Sequence, residues 1–341
     1  MNYDVTIGIP VYRAEAYIAR ALESVLSQSY ASVEFLIVDD AGGDRSMAIV
    51  ADFQQNHQRG KDIRVVRHQE NRGVSASRNA IIREARGEYL YFMDSDDAIS
   101  ADTITLLMQA IRRFQAEMAF GSYERIDVSG VRSVYQYPSA QFLEKDQLAA
   151  FAFRKYAGIQ ASACNYLVRT SLLREKGQAF IDTDYWEDMV FTYRLVTHVT
   201  KAILLPDITY SYYCRENSLS HYQQRATIGK DEVMRNVKAV DCLKADAATL
   251  RHKAYYPDWC YNLMMTDFYI ACTILKRRNS ILPPVTDGEI KRLMAHPATF
   301  RQVCAFQKSR MRNMALLLLG KIPPFLCVCA IKMMGKVKKL T

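Results

Sequence analysis

Apolar positions follow two rhythms along this chain. Through the first 125 residues, short runs at 5–9, 33–38, 63–67, 88–93 and 116–122 predict strands. Amphipathic stretches lie between them. Ile18, Ala21, Leu22, Val25 and Leu26 share one face of a helix over 15–27. Further helices are predicted over 45–55 with Asp44 as N-cap, over 74–85 opened by Gly73, and over 102–115. Gly87 stops the third of these before the next strand. Strand and helix in alternation imply an α/β fold, a mostly parallel sheet flanked by helices on both faces.

The middle stretch, 126–222, is less regular. A helix over 187–199 and strands over 202–205 and 208–214 are its clearest elements. Beyond about residue 226 the rhythm becomes helical, with helices predicted over 230–250, 255–276, 286–295 and 300–319. Two apolar runs follow at 314–319 and 322–331, interrupted by Lys321 and by Pro323-Pro324. Neither reaches the ~18–20 residues that cross a bilayer. The pattern divides the chain into an α/β domain over 1–222 and a helical region over 223–341.

Composition sharpens this division. Half of the 341 residues are hydrophobic, enough for a sizeable core. The net charge of +9 is unevenly spread: residues 1–221 carry 24 Lys/Arg against 28 Asp/Glu, and residues 222–341 carry 21 against 8. No acidic residue follows Glu289, while the last 51 positions hold 11 basic ones. Such a tail favours nucleic acid or an anionic membrane surface. The eight cysteines form no CxxC pair and no zinc spacing, so they are expected to be reduced thiols. The sequence Met1-Asn2-Tyr3-Asp4-Val5 lacks the pattern of a signal peptide, and a cytoplasmic location is expected.

The densest chemistry lies at Asp94-Ser95-Asp96-Asp97, which ends the apolar run of residues 88–93. Carboxyl ends of strands are where open α/β sheets place ligands. Three carboxylates this close repel one another unless a cation or a donor-rich ligand is present. Hard oxygen ligands suit Mg²⁺ or Mn²⁺, with a phosphate as the partner. The plain alternative, an N-cap for the helix near Asp102, explains one Asp and leaves the others without a role.

Five motifs in order resemble glycosyltransferase family 2, whose fold is of GT-A type. They are Ile9-Pro10-Val11-Tyr12, Phe35-Leu36-Ile37-Val38-Asp39-Asp40, Asn71-Arg72-Gly73-Val74-Ser75-Ala76-Ser77-Arg78-Asn79, the run from Gly87 to Asp97, and Trp186-Glu187-Asp188. The segment from Tyr212 to Ser220 extends the likeness, which covers about residues 3–222. The resemblance implies a Rossmann-like nucleotide-binding half over 1–125 and an acceptor half over 126–222. It implies an inverting hexosyl- or N-acetylhexosaminyltransferase that moves a sugar from a nucleotide donor, UDP-linked, to a hydroxyl. A glycan or lipid-linked acceptor of surface polysaccharide synthesis is the expected partner.

On these motifs the resemblance also implies roles. Asp39 is the expected base- and ribose-reading carboxylate, or else one of a capping pair with Asp40. Pro10 and Tyr12 are expected to wall the base, although Tyr12 also suits a core. Arg78 is expected to grip the diphosphate through its planar fork, with a surface helix arginine as the plain alternative. Asp94 faces ribose or metal, Asp96 is the metal ligand, and Asp97 orients them. The base lies in Glu187-Asp188, with Asp188 the better match, and Trp186 offers an acceptor sugar a stacking face. Arg215, Ser218 and Ser220 resemble a segment closing over the diphosphate. Arg13 and Ala41-Gly42-Gly43 depart from the family's usual residues, which bears on the donor and leaves the reaction class intact.

Two other readings compete. A metal-dependent nucleotidyltransferase also sets acidic pairs beside a nucleotide, but usually opens with a Gly-rich, Lys/Arg-bearing loop that Ile7-Gly8-Ile9-Pro10-Val11-Tyr12 is not. A nucleic-acid-binding module using the basic tail would interleave aromatics with its charges. The tail interleaves Leu, Ile, Met, Val and Cys instead, which suits a peripheral site at the inner face of the cell membrane, with no nucleic acid expected.

Overall fold

The computed structural model describes residues 3–154, 158–183, 186–215 and 226–337. Contacts between residues gather into two compact units, Met1–Leu148 with Ser162–Ser218, and Ala149–Ala161 with Leu219–Thr341.

The first unit is built on a ten-stranded sheet. Four parallel strands form one side in the order β3 (Ile63–Arg67), β2 (Val33–Asp39), β1 (Tyr3–Val11) and β4 (Gly87–Phe92). The apolar runs of β1, β2 and β4 are buried, as continuous hydrophobic strands require when both faces are covered, while β3 at the edge buries only Ile63. Helix α1 (Ile18–Leu26) buries the five residues whose spacing predicts its face. Helix α2 (Ser46–Asn56) starts one residue later than predicted, with Arg45 at the N-cap. Asp44 still serves that end, accepting the Ser46 N–H at 3.1 Å. Helix α3 (Gly73–Glu84) lies close on β1 because Gly8 has no side chain: a Cβ there would meet Ile81 at 2.3 Å.

The other side of the sheet is mixed, which the alternation of the first 125 residues does not announce. Strand β9 (Tyr166–Arg169) runs antiparallel to both β4 and β6 (Met118–Ile126) and joins the two halves. Strand β10 is continuous over Ala202–Tyr213, with register irregularities between Leu204 and Tyr210 in place of the predicted break. It runs parallel to β6 and antiparallel to β5 (Ala98–Ile99) and β8 (Ala140–Phe142). Strand β7 (Arg132–Tyr135) completes a hairpin with β6. Helix α4 (Thr103–Phe114) packs on β6 and β10.

In the second unit, α5 (Gln147–Arg154) contributes Phe153, which sits edge-on to Trp259 at 4.8 Å. The long helices α8 (Lys230–Leu250) and α9 (Tyr256–Lys276) match their predicted spans to within one residue. The helix expected over 300–319 is broken into α11 (Phe300–Cys304) and α12 (Arg310–Leu319). Phe306 turns inward in the gap, edge-on to Tyr256 at 5.8 Å, and the Ser309 hydroxyl donates to Asp258 at 2.7 Å. No Pro or Gly marks that break, so tertiary contacts override the local pattern. Helices α10 (Asp287–Leu293) and α13 (Pro324–Val337) also belong to this unit, while α6 (Thr170–Glu175) and α7 (Glu187–Leu195) belong to the first.

Asn165 fastens the mixed side of the sheet. Buried and left-handed at φ 70°, it donates from Nδ2 to the Gly121 and Ser122 carbonyls at 2.6 and 3.2 Å. Its Oδ1 accepts the Thr209 hydroxyl at 2.6 Å. Asn165→Ala would take a donor from the Gly121 carbonyl and break the link between β6 and β10 through this side chain. We expect a loss of about 2–3 kcal/mol, read as a lower urea midpoint for the full chain. An unchanged midpoint would show that the sheet does not depend on this side chain.

Candidate active site

Three elements bring their ends together. The acidic loop leaves β4, α3 carries Arg78 one turn in from its start, and α7 opens on Glu187-Asp188 after Trp186, which takes φ 66°. Asp40 fixes the entry of α3: buried, it accepts the Arg72 and Gly73 N–H groups at 3.0 and 2.9 Å and pairs with His68 Nδ1 at 2.6 Å. Asn79 exchanges two hydrogen bonds with the Phe180 backbone, at 2.9 and 2.8 Å. The Phe180 ring then stacks on Phe191 of α7, 4.0 Å between centroids. The Arg78 guanidinium lies 5.4 Å from the Phe180 centroid. This packing sets α7 against α3.

At the centre is the Arg78 guanidinium, its side chain only 4 % exposed. Nη1 donates to Glu187 Oε1 at 2.9 Å and to Asp188 Oδ1 at 2.5 Å, while Nη2 donates to Asp94 Oδ1 at 2.8 Å. Burial pushes the Glu187 carboxyl up to about 7, and the neighbouring Asp188 charge adds to this against the pull of Arg78. Burial also raises Asp188, with Arg78 opposing. The sequence predicts Arg78 facing a diphosphate; the structure turns its fork onto carboxylates.

Asp96 and Asp97 differ in their surroundings. Arg215 pairs with the Asp96 carboxylate and lies 4.9 Å from the centroid of Tyr17. Arg20 donates to the Asp96 carbonyl and lies over Tyr213 at 3.7 Å. Burial and the nearby Asp94 push Asp96 up to about 6. Asp97 is buried, accepting the Tyr210 hydroxyl at 2.6 Å and the Tyr213 N–H at 2.9 Å, so it ties the loop to β10. Burial first, then Asp94 and Asp96, hold its carboxyl well above the usual range.

Asp39 stands apart from this cluster, accepting the Ala41 N–H at 3.1 Å and facing Arg67 at 3.6 Å. It borders a cleft of about 180 Å³ also lined by Val11, Arg13, Ala41, Gly42 and Asp44. Pro10 and Tyr12 do not line that cleft. Tyr12 is 41 % exposed beneath the Arg13 guanidinium, which removes the core alternative. Trp186 is half-buried beside Glu187. Ser218 and Ser220 lie outside the described residues.

Sequence reasoning missed Arg20, Tyr210, Tyr213 and Phe180. Arg20 occupies the polar side of an amphipathic helix, where an arginine is unremarked, and the tyrosines belong to a strand distant in sequence from the acids. The chemistry of Asp94 and Asp96 fits a hard divalent cation, since Asp94 raises Asp96 as like charges awaiting a counter-ion do. Among the described residues no three His, Cys, Asp or Glu side chains gather as a metal-holding group, so further ligands would have to come from a substrate or water.

Comparison with known proteins extends this picture. Residues 6–175 match the family model of glycosyl transferase family 2. GlyA of Streptococcus pneumoniae is 29 % identical over 225 residues, 63 % of this chain, which spans about a third (31 %) of that relative's length. GlyG from the same organism is 25 % identical over 260 residues, covering 74 % of this chain and 85 % of GlyG. The succinoglycan biosynthesis protein ExoO of Rhizobium meliloti is 24 % identical over 322 residues, 92 % of this chain and 87 % of ExoO. Among solved structures, S. aureus TarS in complex with UDP-GlcNAc shares the fold at TM-score 0.68 and 17 % identity, with 93 % and 89 % of the two chains covered. The mannosyltransferase PcManGT of Pyrobaculum calidifontis, in complex with GDP-Man and Mn²⁺, does so at TM-score 0.52 and 15 % identity, covering 97 % and 87 %.

The raised carboxyls make a testable pH signature. Both folded-state values lie above the ordinary values of 3.8 for Asp96 and 4.5 for Glu187. The native state therefore retains protons that the unfolded state has lost, and this stabilisation, complete below about pH 4, disappears as pH rises through about 6 and about 7. Glu187→Gln is neutral throughout, so its stability relative to wild type should rise between about pH 5 and 8, by roughly 2 kcal/mol. Urea midpoints at the two pH values measure this. A gap that does not widen with pH would mean that Glu187 is already ionised at the lower one.

Proposed function

The chain belongs to glycosyl transferase family 2 and is a glycosyltransferase of GT-A fold, and on that premise we propose that it transfers a sugar from a UDP-linked donor, with inversion, to a hydroxyl of a glycan or lipid-linked acceptor in surface polysaccharide synthesis. One observation carries this reading: Arg78 holds the acidic end of β4 and the Glu187-Asp188 pair within reach of one guanidinium. An inverting displacement needs a leaving-group site and a base on opposite sides of one carbon, and these two carboxylate groups supply them.

In this proposal Asp188 takes the proton of the acceptor hydroxyl as its oxygen bonds to the anomeric carbon and the UDP leaves. Burial that raises the Asp188 carboxyl makes it a stronger base, with Arg78 opposing the rise. Asp94 and Asp96 would hold Mn²⁺ or Mg²⁺, which supplies positive charge for the departing diphosphate. Arg215, beside Asp96, would pair with phosphate oxygens. Asp39 and its cleft would receive the base and ribose, with Pro10 and Tyr12 near the edge, and Trp186 would face the acceptor sugar. Arg78 serves as a positioning residue. Asp188→Asn should lose turnover by about 10²–10⁴-fold while UDP still binds, and Asp96→Asn or EDTA should abolish activity. Near-wild-type turnover of Asp188→Asn would move the base elsewhere, and full activity in EDTA would end the metal assignment.

The same proposal places the enzyme at the cytoplasmic face of an anionic membrane. Among the described residues no helix is long and apolar enough to cross one. Helix α13 buries Cys327, Val328 and Ile331 on one side and exposes Phe325 (67 %), Leu326, Cys329 and Met333 (69 %) on the other. Lys332 and Lys336 flank that exposed stripe. Apolar residues rimmed by lysine suit a headgroup boundary, where each basic group adds about 1 kcal/mol. A second copy of the chain would meet this stripe with like charge. The full chain should sediment with phosphatidylglycerol vesicles and not with phosphatidylcholine vesicles, and Phe325→Asp with Met333→Asp should weaken that binding about tenfold or more. Equal recovery in the supernatant with both vesicle types would reject membrane attachment.

A further inference from the structure

A group of side chains on the far part of the sheet is left unused by the chemistry above. Across β6 and β10, Tyr123 lies in register with Tyr210 and Arg125 with Tyr212. In the β6–β7 hairpin Tyr135 lies opposite Tyr123. Alternate residues of a strand point to one face, so these five side chains share a face. The Tyr123 and Tyr135 rings stack with centroids 4.8 Å apart and planes 8° from parallel. Arg125 is hydrogen-bonded to Cys214 and lies in the field of the Tyr135 and Tyr212 phenols. At the inner end the Tyr210 hydroxyl meets Asp97, and the peptide that follows Tyr212 donates to the same carboxylate at 2.9 Å. The strip therefore begins one peptide from the acidic loop and runs outward.

Its composition argues for a ligand. A stacked tyrosine pair stabilises a hairpin by at most about 1 kcal/mol, yet here Tyr135 stays 47 % exposed and Arg125 is exposed beside it. A lipid partner would favour purely apolar rings, and the closeness of the strip to the acidic loop favours the substrate's own saccharide over a protein partner. Phenols and a guanidinium provide apolar faces with donors around them, which matches a pyranose: C–H bonds on one face and hydroxyls at the rim.

We propose that Tyr123, Tyr135, Tyr212 and Arg125 form a subsite for the saccharide chain of the acceptor, holding sugar units behind the one being extended. This rests on the glycosyl-transfer reading of the acidic cluster. It assigns the acceptor a class: an oligosaccharide of several rings, in preference to a single sugar or a bare lipid alcohol.

The test uses saturation-transfer NMR on the full chain with cellotetraose and tetragalacturonate as neutral and acidic probes, and a separate titration of UDP with Mn²⁺. At least one tetrasaccharide should bind the wild type. Tyr135→Ala should weaken that binding about three- to tenfold, the worth of one aromatic contact, Arg125→Ala should also weaken it, and Tyr135→Trp should restore it. Binding of neither probe, or unchanged binding by both alanine variants, overturns the subsite. Binding of a tetrasaccharide by a wild-type chain that ignores UDP with Mn²⁺ overturns the donor reading and keeps the saccharide site, so the two failures are distinguishable.

Discussion

The first unit depends on one buried guanidinium. Arg78 comes from α3, its partners come from the end of β4 and the start of α7, and nothing else described contacts all three carboxylates. Desolvating a cation this far costs several kcal/mol, which only well-aligned carboxylates offset. The exchange is mutual. Burial raises Glu187 and Asp188, and Arg78 lowers both. A lysine could not replace it, because a point charge lacks the planar fork that reaches Asp94 from one nitrogen and the α7 pair from another. The arginine thus ties the parallel side of the sheet to the helix between β9 and β10.

The acidic runs share a division of labour. In Asp39-Asp40, Asp40 is buried on two backbone N–H groups and His68, while Asp39 looks into the cleft. In the loop after β4, Asp97 is buried on Tyr210 and Tyr213, and Asp94 and Asp96 retain access. In Glu187-Asp188, Glu187 is the more buried of the two. In the first two runs the neighbouring side chains point in different directions, so one carboxylate secures the backbone and the other stays accessible.

Much of this was legible beforehand, for reasons that particular residues make plain. Strands β1, β2 and β4 are short buried runs, and the stripe of α1 has no second interpretation, so both emerged from periodicity. Asp94 and Asp96 stood out because three carboxylates in four positions are hard to explain as packing. What stayed hidden depends on distance in sequence. The antiparallel β9 hangs on the left-handed Asn165 and its bonds to Gly121, Ser122 and Thr209, none of them local. The break between α11 and α12 is set by Phe306 finding Tyr256. Arg78 was visible as a motif residue, but its partners lie 16 and more positions away, and only the fold shows that they are carboxylates.

The cleft beside Asp39 shows how departures from a family's usual residues can be absorbed without loss of architecture. Arg13 and Ala41 both take left-handed backbone, at φ 47° and 55°, which residues with side chains adopt at some cost. Two contacts offset that cost. A Cβ at Gly42 would meet the Arg13 nitrogen at 2.6 Å, so the two loops close on each other only with glycine there. Asp44 then bridges them, accepting the Glu15 N–H at 3.0 Å and the Ser46 N–H at 3.1 Å. Burial alone would raise the Asp44 carboxyl, yet these hydrogen bonds outweigh it and hold it low, so the bridge stays charged at neutral pH. The strain thus sits where the chain leaves the usual pattern, next to a carboxylate exposed to a cleft. Backbone held against its preference beside a cleft is a mark of a ligand site more than of packing. On the proposed reading, the donor's identity would be decided by Arg13 and the 41–44 turn, and the reaction by the carboxylates around Arg78.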